Sequence, residues 1–139
     1  RRIRVTGHDA SRWCLYEPNS YDAVLLDAPC SSEAHVLADS GALAMWSPAR
    51  VRQLAIRQFA LLSSAIEVLK QGGRVLYATC ALADAENDGV VGKLVARRGE
   101  AVRVLKLELG AGEATESGAR ILPNRGGEGP MYASLIEKL

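Results

Sequence analysis

Two apolar runs, each closing on a cysteine, organise the hydrophobic pattern of this chain. Tyr21-Asp22-Ala23-Val24-Leu25-Leu26 leads into Asp27-Ala28-Pro29-Cys30, and Gly73-Arg74-Val75-Leu76-Tyr77-Ala78 leads into Thr79-Cys80. Both runs read as strands. Between them the apolar residues fall at helical spacing: Val51, Leu54, Ala55, Leu62, Ala65, Ile66 and Leu69 form one stripe, with Arg50, Arg57, Ser64 and Lys70 largely off it. Ser47 supplies an N-cap oxygen and Pro48 fills the first helical position, where its missing N–H costs little. Gly72-Gly73 is expected to end the helix through left-handed backbone geometry. The result is a strand–helix–strand crossover, right-handed by the general rule for such units, which carries both strand ends to one edge of a parallel sheet. Ligands of open α/β sheets bind at that carboxyl edge, so Asp27, Cys30 and Cys80 are expected to line one crevice.

The flanks continue the alternation of strand and helix. Residues 3–6 are short and β-branched and end at Gly7-His8-Asp9, so they are read as a strand whose following carboxylate, Asp9, faces the same edge. Residues 11–20 form a connector, with Pro18-Asn19-Ser20 as its turn. Residues 31–45 read as a loop with at most one helical turn, placed directly after Cys30. Asp84 is taken as the N-cap of a second helix, with Val90, Val91, Leu94 and Val95 inward and Gly99 past its end. Residues 102–107 read as a strand and 110–118 as a glycine-rich surface loop. Ile121-Leu122-Pro123-Asn124, the turn at Gly126-Gly127 and residues 131–136 read as a closing hairpin.

Composition narrows the class. The 139 residues, 48% hydrophobic and 24% charged, suit one globular domain with a sizeable core. A net charge of +1 gives no bulk electrostatic case for nucleic acid, so such a role has to rest on particular residues. Three cysteines, odd in number and without a close pair, argue against a disulfide framework and for a reducing, intracellular compartment. No apolar stretch approaches the roughly 20 residues of a membrane span. The chain opens Arg1-Arg2-Ile3-Arg4-Val5, with neither initiator methionine nor leader pattern, and is expected to lack its natural N-terminus.

Two thiols beside a carboxylate suit one demanding reaction. Carbon 5 of a pyrimidine is a poor nucleophile, and methylating it requires a thiolate to add first at carbon 6, turning the ring into an enamine. A carboxylic acid near ring nitrogen 3 stabilises that adduct, and a second group helps remove the carbon 5 proton so that the thiol can leave. The base has to leave its stack to reach a pocket at the sheet edge, which favours single-stranded or loop RNA.

At these residues the chain resembles the Sun-domain family of RNA cytosine-5 methyltransferases. The family's Asp-Ala-Pro-Cys-Ser motif corresponds to Asp27 through Ser31, its Thr-Cys motif to Thr79-Cys80, and its Glu-Asn-Glu-like element to Glu86-Asn87-Asp88, all in family order. The likeness extends over nearly the whole chain through Arg4-Val5-Thr6-Gly7-His8-Asp9, Trp46-Ser47-Pro48, Gln58, Leu122-Pro123-Asn124 and Gly129-Pro130-Met131-Tyr132. These flanks look most like the mitochondrial ribosomal-RNA subgroup. The resemblance implies an α/β, Rossmann-like methyltransferase fold truncated on its N-terminal side, with residues 1–139 as the C-terminal portion of a single catalytic domain. It implies S-adenosylmethionine as cofactor, RNA and in particular ribosomal RNA as substrate, and 5-methylcytosine as product. A protein partner that delivers the RNA is compatible with it, as is a place in the mitochondrial matrix, cytoplasm or nucleolus; neither a metal nor a membrane is implied. By the same resemblance Cys80 is the nucleophile, and Cys30 assists resolution of the adduct and product release. Asp27 contacts the cytosine near the methyl donor, Asp9 hydrogen-bonds the cofactor's adenosine part, and Pro29 shapes the backbone beside the base.

The chain departs from the family pattern in two places. The glycine-rich cofactor loop and the strand bearing the ribose-binding acid do not occur in it. Gly126-Gly127-Glu128-Gly129 lies near the C-terminus rather than between a strand and a helix, and cannot substitute. The isolated chain is therefore expected to bind S-adenosylmethionine weakly or not at all, and its sheet to carry a gap between residues 3–6 and the Tyr21 strand, with exposed apolar faces. Glu33-Ala34-His35 stands where relatives commonly carry an arginine beside the glutamate, so a substrate or phosphate contact is expected to be lost at Ala34.

Plainer readings stand beside these. A cysteine near a strand end is often a small buried hydrophobe, and Cys14 is read as a structural or exposed thiol. Asp27 and Asp9 also suit local turns. Arg50, Arg52 and Arg57 face RNA phosphates or simply solvent, and Arg97-Arg98 suits a helix C-terminus. Glu86 and Asn87 hold the Cys80 loop or merely begin a helix. His8 and His35 lack ligand-spaced partners and are read as surface residues. A cysteine-dependent hydrolase is the rival enzyme class, although neither histidine shows a partnering motif. A non-catalytic RNA- or protein-binding remnant of the fold is the other alternative.

Overall fold

A computed structural model describes residues 3–39, 41, 44, 46–110, 112–123 and 129–139. Met45, Asn124, Gly126, Gly127, Glu128 and the side chain of Ala34, on which some expectations fell, lie outside that description. In chain order the elements are β1 (Tyr21–Asp27), α1 (Glu33–Ala38), α2 (Pro48–Val68), β2 (Leu69–Thr79), α3 (Asp88–Arg98), β3 (Val102–Leu105), β4 (Glu113–Ala114), β5 (Ala119–Ile121) and β6 (Met131–Lys138). Short 3-10 turns occupy Ala10–Leu15, Asp84–Glu86 and Gly99–Ala101. The strands form one sheet in the order β1-β2-β6-β5-β4, and β3 also pairs with β6. β1 and β2 run parallel, with Val24 opposite Val75 and Asp27 opposite Ala78, as the crossover requires. β6 is antiparallel to β2, β3 and β5.

α2 begins as its sequence dictates: Ser47 Oγ accepts from Arg50 N at 3.2 Å and Pro48 sits in the first turn. Leu62, Ala65 and Ile66 of α2 and Val90, Val91 and Leu94 of α3 pack with Val75, Tyr77 and Ile136 of the sheet in one core. Each fully buried leucine or isoleucine contributes about 2 kcal/mol. Val24 and Leu26, opposite Val75 and Tyr77, pack against the same core, whereas the alternate residue Leu25 is 72% exposed. Both long helices therefore cover the same face of the sheet. The expected exposed apolar surface is present on the other face of β1.

Elsewhere the structure departs from the sequence pattern. Residues 3–6 form no strand, and Ile3 and Val5 are almost wholly exposed; β-branched composition makes no strand without a partner to bond. Within the 11–20 connector, the turn Ala10–Leu15 packs on α2, where Cys14 N donates to Ser64 Oγ at 3.1 Å. Ser64 is therefore buried rather than off the inward stripe. The helical turn allowed after Cys30 is present as the six-residue α1 (Glu33–Ala38). α2 stops at Val68 because Leu69 turns extended and enters β2. Gly72, at φ 77, and Gly73 instead serve a bulge inserted between the Tyr21–Leu69 and Ala23–Arg74 pairs. A Cβ on Gly73 would meet Lys70 O at 2.9 Å and Asp22 O at 3.2 Å. Asp84 opens a 3-10 turn and caps no helix; α3 starts only after Asn87, whose side chain is engaged elsewhere. The strand read over 102–107 ends at Leu105. Thr115 and Ser117 are anchored rather than free surface loop, because Asp88 Oδ1, itself held by Tyr132 OH at 2.7 Å, accepts from Thr115 Oγ1 at 2.9 Å and Ser117 N at 3.1 Å.

Candidate active site

The parallel pair β1 and β2 end side by side, and Ala28 N donates to Ala78 O at 2.9 Å, which carries the pairing one residue past Asp27. The chain turns after each strand and brings Cys30 Sγ to 3.0 Å from Cys80 Sγ, both thiols being free. Cys80 is exposed and Cys30 half-buried. Fifty residues of sequence separation thus collapse to one contact, as the crossover predicts.

A buried polar lattice fixes both turns. Gln58, fully buried on α2, donates through Nε2 to Pro29 O at 2.8 Å and to Glu86 Oε2 at 2.7 Å, and Ser31 N donates to the same Glu86 oxygen at 3.0 Å. Glu33 ties the two turns together: Oε1 accepts from Ser31 Oγ at 2.6 Å and Oε2 from Leu82 N at 2.9 Å. Asn87 brackets Cys80, accepting from Thr79 Oγ1 at 2.6 Å and donating to Ala81 O at 2.9 Å. Tyr77 OH donates to Glu86 O at 2.6 Å, and burial with the nearby Glu86 carboxylate pushes its phenol well above the ordinary range. Glu86 and Asn87 therefore hold the thiol loops, rather than merely opening a helix. These bonds set a geometry because losing a buried partner is costly, and within the network only Gln58 Oε1 and Glu86 Oε1 lack a partner among the described residues.

The two thiols differ in character. Burial pushes the Cys30 thiol up, the hydrogen bond with Cys80 pushes the same way, and the contact with Ser32 opposes them. Cys30 therefore keeps its proton at neutral pH and can donate it toward Cys80.

The remaining predicted residues sort by position. Asp27 ends β1 with its side chain exposed, and Pro29 is exposed with its carbonyl held by Gln58. Asp9 is exposed and caps the turn at Ala10–Leu15, with Oδ1 accepting from Ser11 N at 3.0 Å and Ser11 Oγ at 2.9 Å. Those bonds, with a smaller attraction from Arg57, hold its carboxyl below the usual range. Arg50 and Arg57 are exposed on α2, two turns apart. His8 stacks on Tyr16 with ring centroids 4.6 Å apart, and His35 is exposed on α1. Arg98 pairs with Glu67 at 2.6 Å and Arg97 lies over Phe59, so the basic end of α3 is used in packing against α2. Among the described residues no three His, Cys, Asp or Glu side chains are grouped to hold a metal ion.

Sequence reasoning gave Glu33 and Ser32 no role in the site. Gln58 had a visible signal, a polar residue four positions from Leu62 on the apolar stripe. Glu33 and Ser32 had none, since Leu82 N and Cys80 Sγ, which they meet besides their near neighbours Ser31 and Cys30, come from a distant loop.

A parallel strand pair with two facing thiols and an exposed carboxylate at its carboxyl edge defines an α/β protein with its candidate site at that edge. The family described as 16S rRNA methyltransferase RsmB/F matches residues 1–137, and the chain belongs to it. A ribosomal RNA small subunit methyltransferase F of Cronobacter sakazakii is 46% identical over 106 residues, covering 76% of this chain and 22% of that protein. The chain thus spans only part of the length of such relatives. NSun6 from Pyrococcus horikoshii, solved with SFG, superimposes with a TM-score of 0.75 at 22% identity over 97% of this chain and 34% of that one. A methyltransferase homologue from the same organism gives a TM-score of 0.73 at 25% identity, over 95% and 43% respectively. The mixed sheet with its helices is part of the Rossmann-like methyltransferase fold those proteins share.

Proposed function

We propose that this chain carries the catalytic half of an RNA cytosine-5 methyltransferase acting on ribosomal RNA, with Cys80 as the nucleophile and Cys30 as its helper. The single observation that carries this reading is the 3.0 Å approach of the two thiols beside Asp27 at the carboxyl edge of β1 and β2. Cys80, exposed, adds through its sulfur to carbon 6 of the flipped base. Asp27 lies on the same edge to hydrogen-bond ring nitrogen 3. Cys30 retains its proton and offers it to the Cys80 sulfur as a hydrogen bond, which stabilises the thiolate before attack and again when it departs from the methylated ring, the carbon 5 proton passing to solvent water at this exposed edge as the carbon 6–sulfur bond breaks.

S-adenosylmethionine would supply the methyl group. Its sulfonium is cationic, and the donor set suits it: Asp9 and Asp27 are exposed carboxylates, and Asp9 lies within electrostatic reach of Arg57, one residue from the Gln58 that holds Pro29. Asp9, Asp27 and Pro29 would hold the cofactor, while the glycine-rich cradle is not in this sequence. Arg50 and Arg57 would meet RNA phosphates, with a protein partner delivering the RNA.

The test is covalent trapping. The protein carrying this chain is incubated with S-adenosylmethionine and an RNA containing 5-fluorocytosine, and the adduct is mapped by mass spectrometry. An adduct at Cys80, absent from Cys80→Ser, is the expected result. RNA retained without any adduct would favour the binding-remnant reading, and turnover of small esters or amides without cofactor would favour a hydrolase.

A further inference from the structure

Ser32 sits between the two thiols in a backbone conformation that serine seldom adopts. Its φ of 52 and ψ of 53 lie in the left-handed region, where a Cβ is disfavoured. It also occupies the N-cap position of α1, and its carbonyl accepts from Val36 N at 3.1 Å, yet its hydroxyl makes no capping bond. A serine at that position ordinarily turns its oxygen to the first free N–H groups of the helix. Here the hydroxyl turns the other way, to 3.2 Å from Cys80 Sγ and 3.4 Å from Cys30 Sγ. The three heavy atoms make a closed triangle with the 3.0 Å contact between the sulfurs.

We propose that Ser32 is a further catalytic residue, whose hydroxyl donates a hydrogen bond to the Cys80 sulfur and, with the Cys30 thiol, holds that sulfur as an aimed thiolate. The inference rests on the reading of Cys80 as nucleophile. A thiolate accepts hydrogen bonds and donates none, so with Cys80 ionised both neighbours serve as donors. The Ser32 hydroxyl proton goes to Cys80, and its lone pairs remain open to the Cys30 side. No bond is made or broken at Ser32, so the residue stabilises charge before attack and on release without entering the covalent path. The strained backbone fits this role, because it is what turns the hydroxyl away from the helix end.

The experiment measures the rate of iodoacetamide labelling of Cys80 against pH, by peptide mass spectrometry, in the wild-type protein, Ser32→Gly and Ser32→Ala. Glycine is the decisive variant: it takes a φ of 52 without penalty, so it removes the hydroxyl while relieving the backbone. The titratable groups on the segments around Cys80 are Asp27 at the end of β1 and Cys30 after it, Glu33 and His35 on α1, Tyr77 on β2, and Asp84 and Glu86 before α3, and none is altered. Loss of one charge-assisted hydrogen bond to the thiolate is expected to slow Cys80 labelling at neutral pH about tenfold in both variants, while Cys14, remote on the Ala10–Leu15 turn, labels as before. Profiles that superimpose on wild type, or a shift in only one of the two variants, would overturn the proposal. A shift in both variants combined with no RNA adduct at Cys80 would instead leave Ser32 acting on the thiol and sink the methyltransferase reading.

Discussion

Replacing Asn87 by alanine removes the side chain that brackets Cys80. Asn87 is 3% exposed; its Oδ1 accepts from Thr79 Oγ1 at 2.6 Å and its Nδ2 donates to Ala81 O at 2.9 Å, one bond on each side of Cys80. Alanine leaves two buried groups without those partners. Each orphaned group costs about 1–3 kcal/mol, and the Thr79 hydroxyl keeps only a longer 3.3 Å contact with Ala81 N. The expected loss is about 3 kcal/mol, a large share of the roughly 5–15 kcal/mol that holds a domain together. For a chain of this length it lowers Tm by about 10 °C. Guanidinium unfolding reads the loss as a lower midpoint at unchanged slope. A second readout follows the geometry: phenylarsine oxide, which bridges two neighbouring thiols, is captured one-to-one by the wild type and poorly by the variant. Asn87→Asp keeps the acceptor for Thr79 but turns a carboxylate oxygen toward the Ala81 carbonyl, so it destabilises at least as much. A loss under about 1 kcal/mol with arsenical capture intact would refute the role given to Asn87.

Gln58→Leu fills the same stripe but strips the donor shared by Pro29 O and Glu86 Oε2, leaving the buried Glu86 carboxylate with Ser31 N; a loss of about 2–4 kcal/mol in denaturant unfolding is expected. Cys30 should label more slowly than Cys80 with iodoacetamide at neutral pH, because burial and Cys80 raise its pKa. The sign for stability follows: the contribution of the protonated Cys30 thiol is fully present below the pKa of an unfolded cysteine and is lost as pH rises through the higher folded value. Cys30→Ala should therefore flatten the alkaline limb of a stability profile measured by denaturant titration. Leu25→Lys, although in the middle of β1, should change stability by less than about 0.5 kcal/mol, since the side chain is 72% exposed; a larger loss in thermal unfolding would mean that this face is covered.

The meeting of Cys30 and Cys80 was legible in the sequence because it needs only two facts, parallel strands and a crossover between them, and both are local signals. The start of α2 was legible for the same reason, with Ser47 and Pro48 adjacent and the stripe immediately after. What escaped depends on partners distant in sequence. Glu33 gains its role only where Leu82, 49 residues further on, meets it beside Ser31. The bulge at Gly72 and Gly73 is set by register with β1, whereas a glycine pair after a helical stripe reads equally well as a helix stop. Residues 3–6 have strand composition and no strand, because propensity orders a backbone only when its hydrogen bonds find partners. The left-handed serine at position 32 carries no signature at all in its neighbours.

The most direct test of the central claim uses Cys30→Ala in the protein carrying this chain, incubated with S-adenosylmethionine and unmodified cytosine-containing RNA. With the helping thiol removed, departure of the Cys80 sulfur should slow, and a protein–RNA adduct should accumulate with its cross-link in the Cys80 peptide. Cys80→Ser should give neither adduct nor methylated product. An adduct mapped to any other residue, or 5-methylcytosine formed by the Cys80→Ser protein, would contradict the assignment.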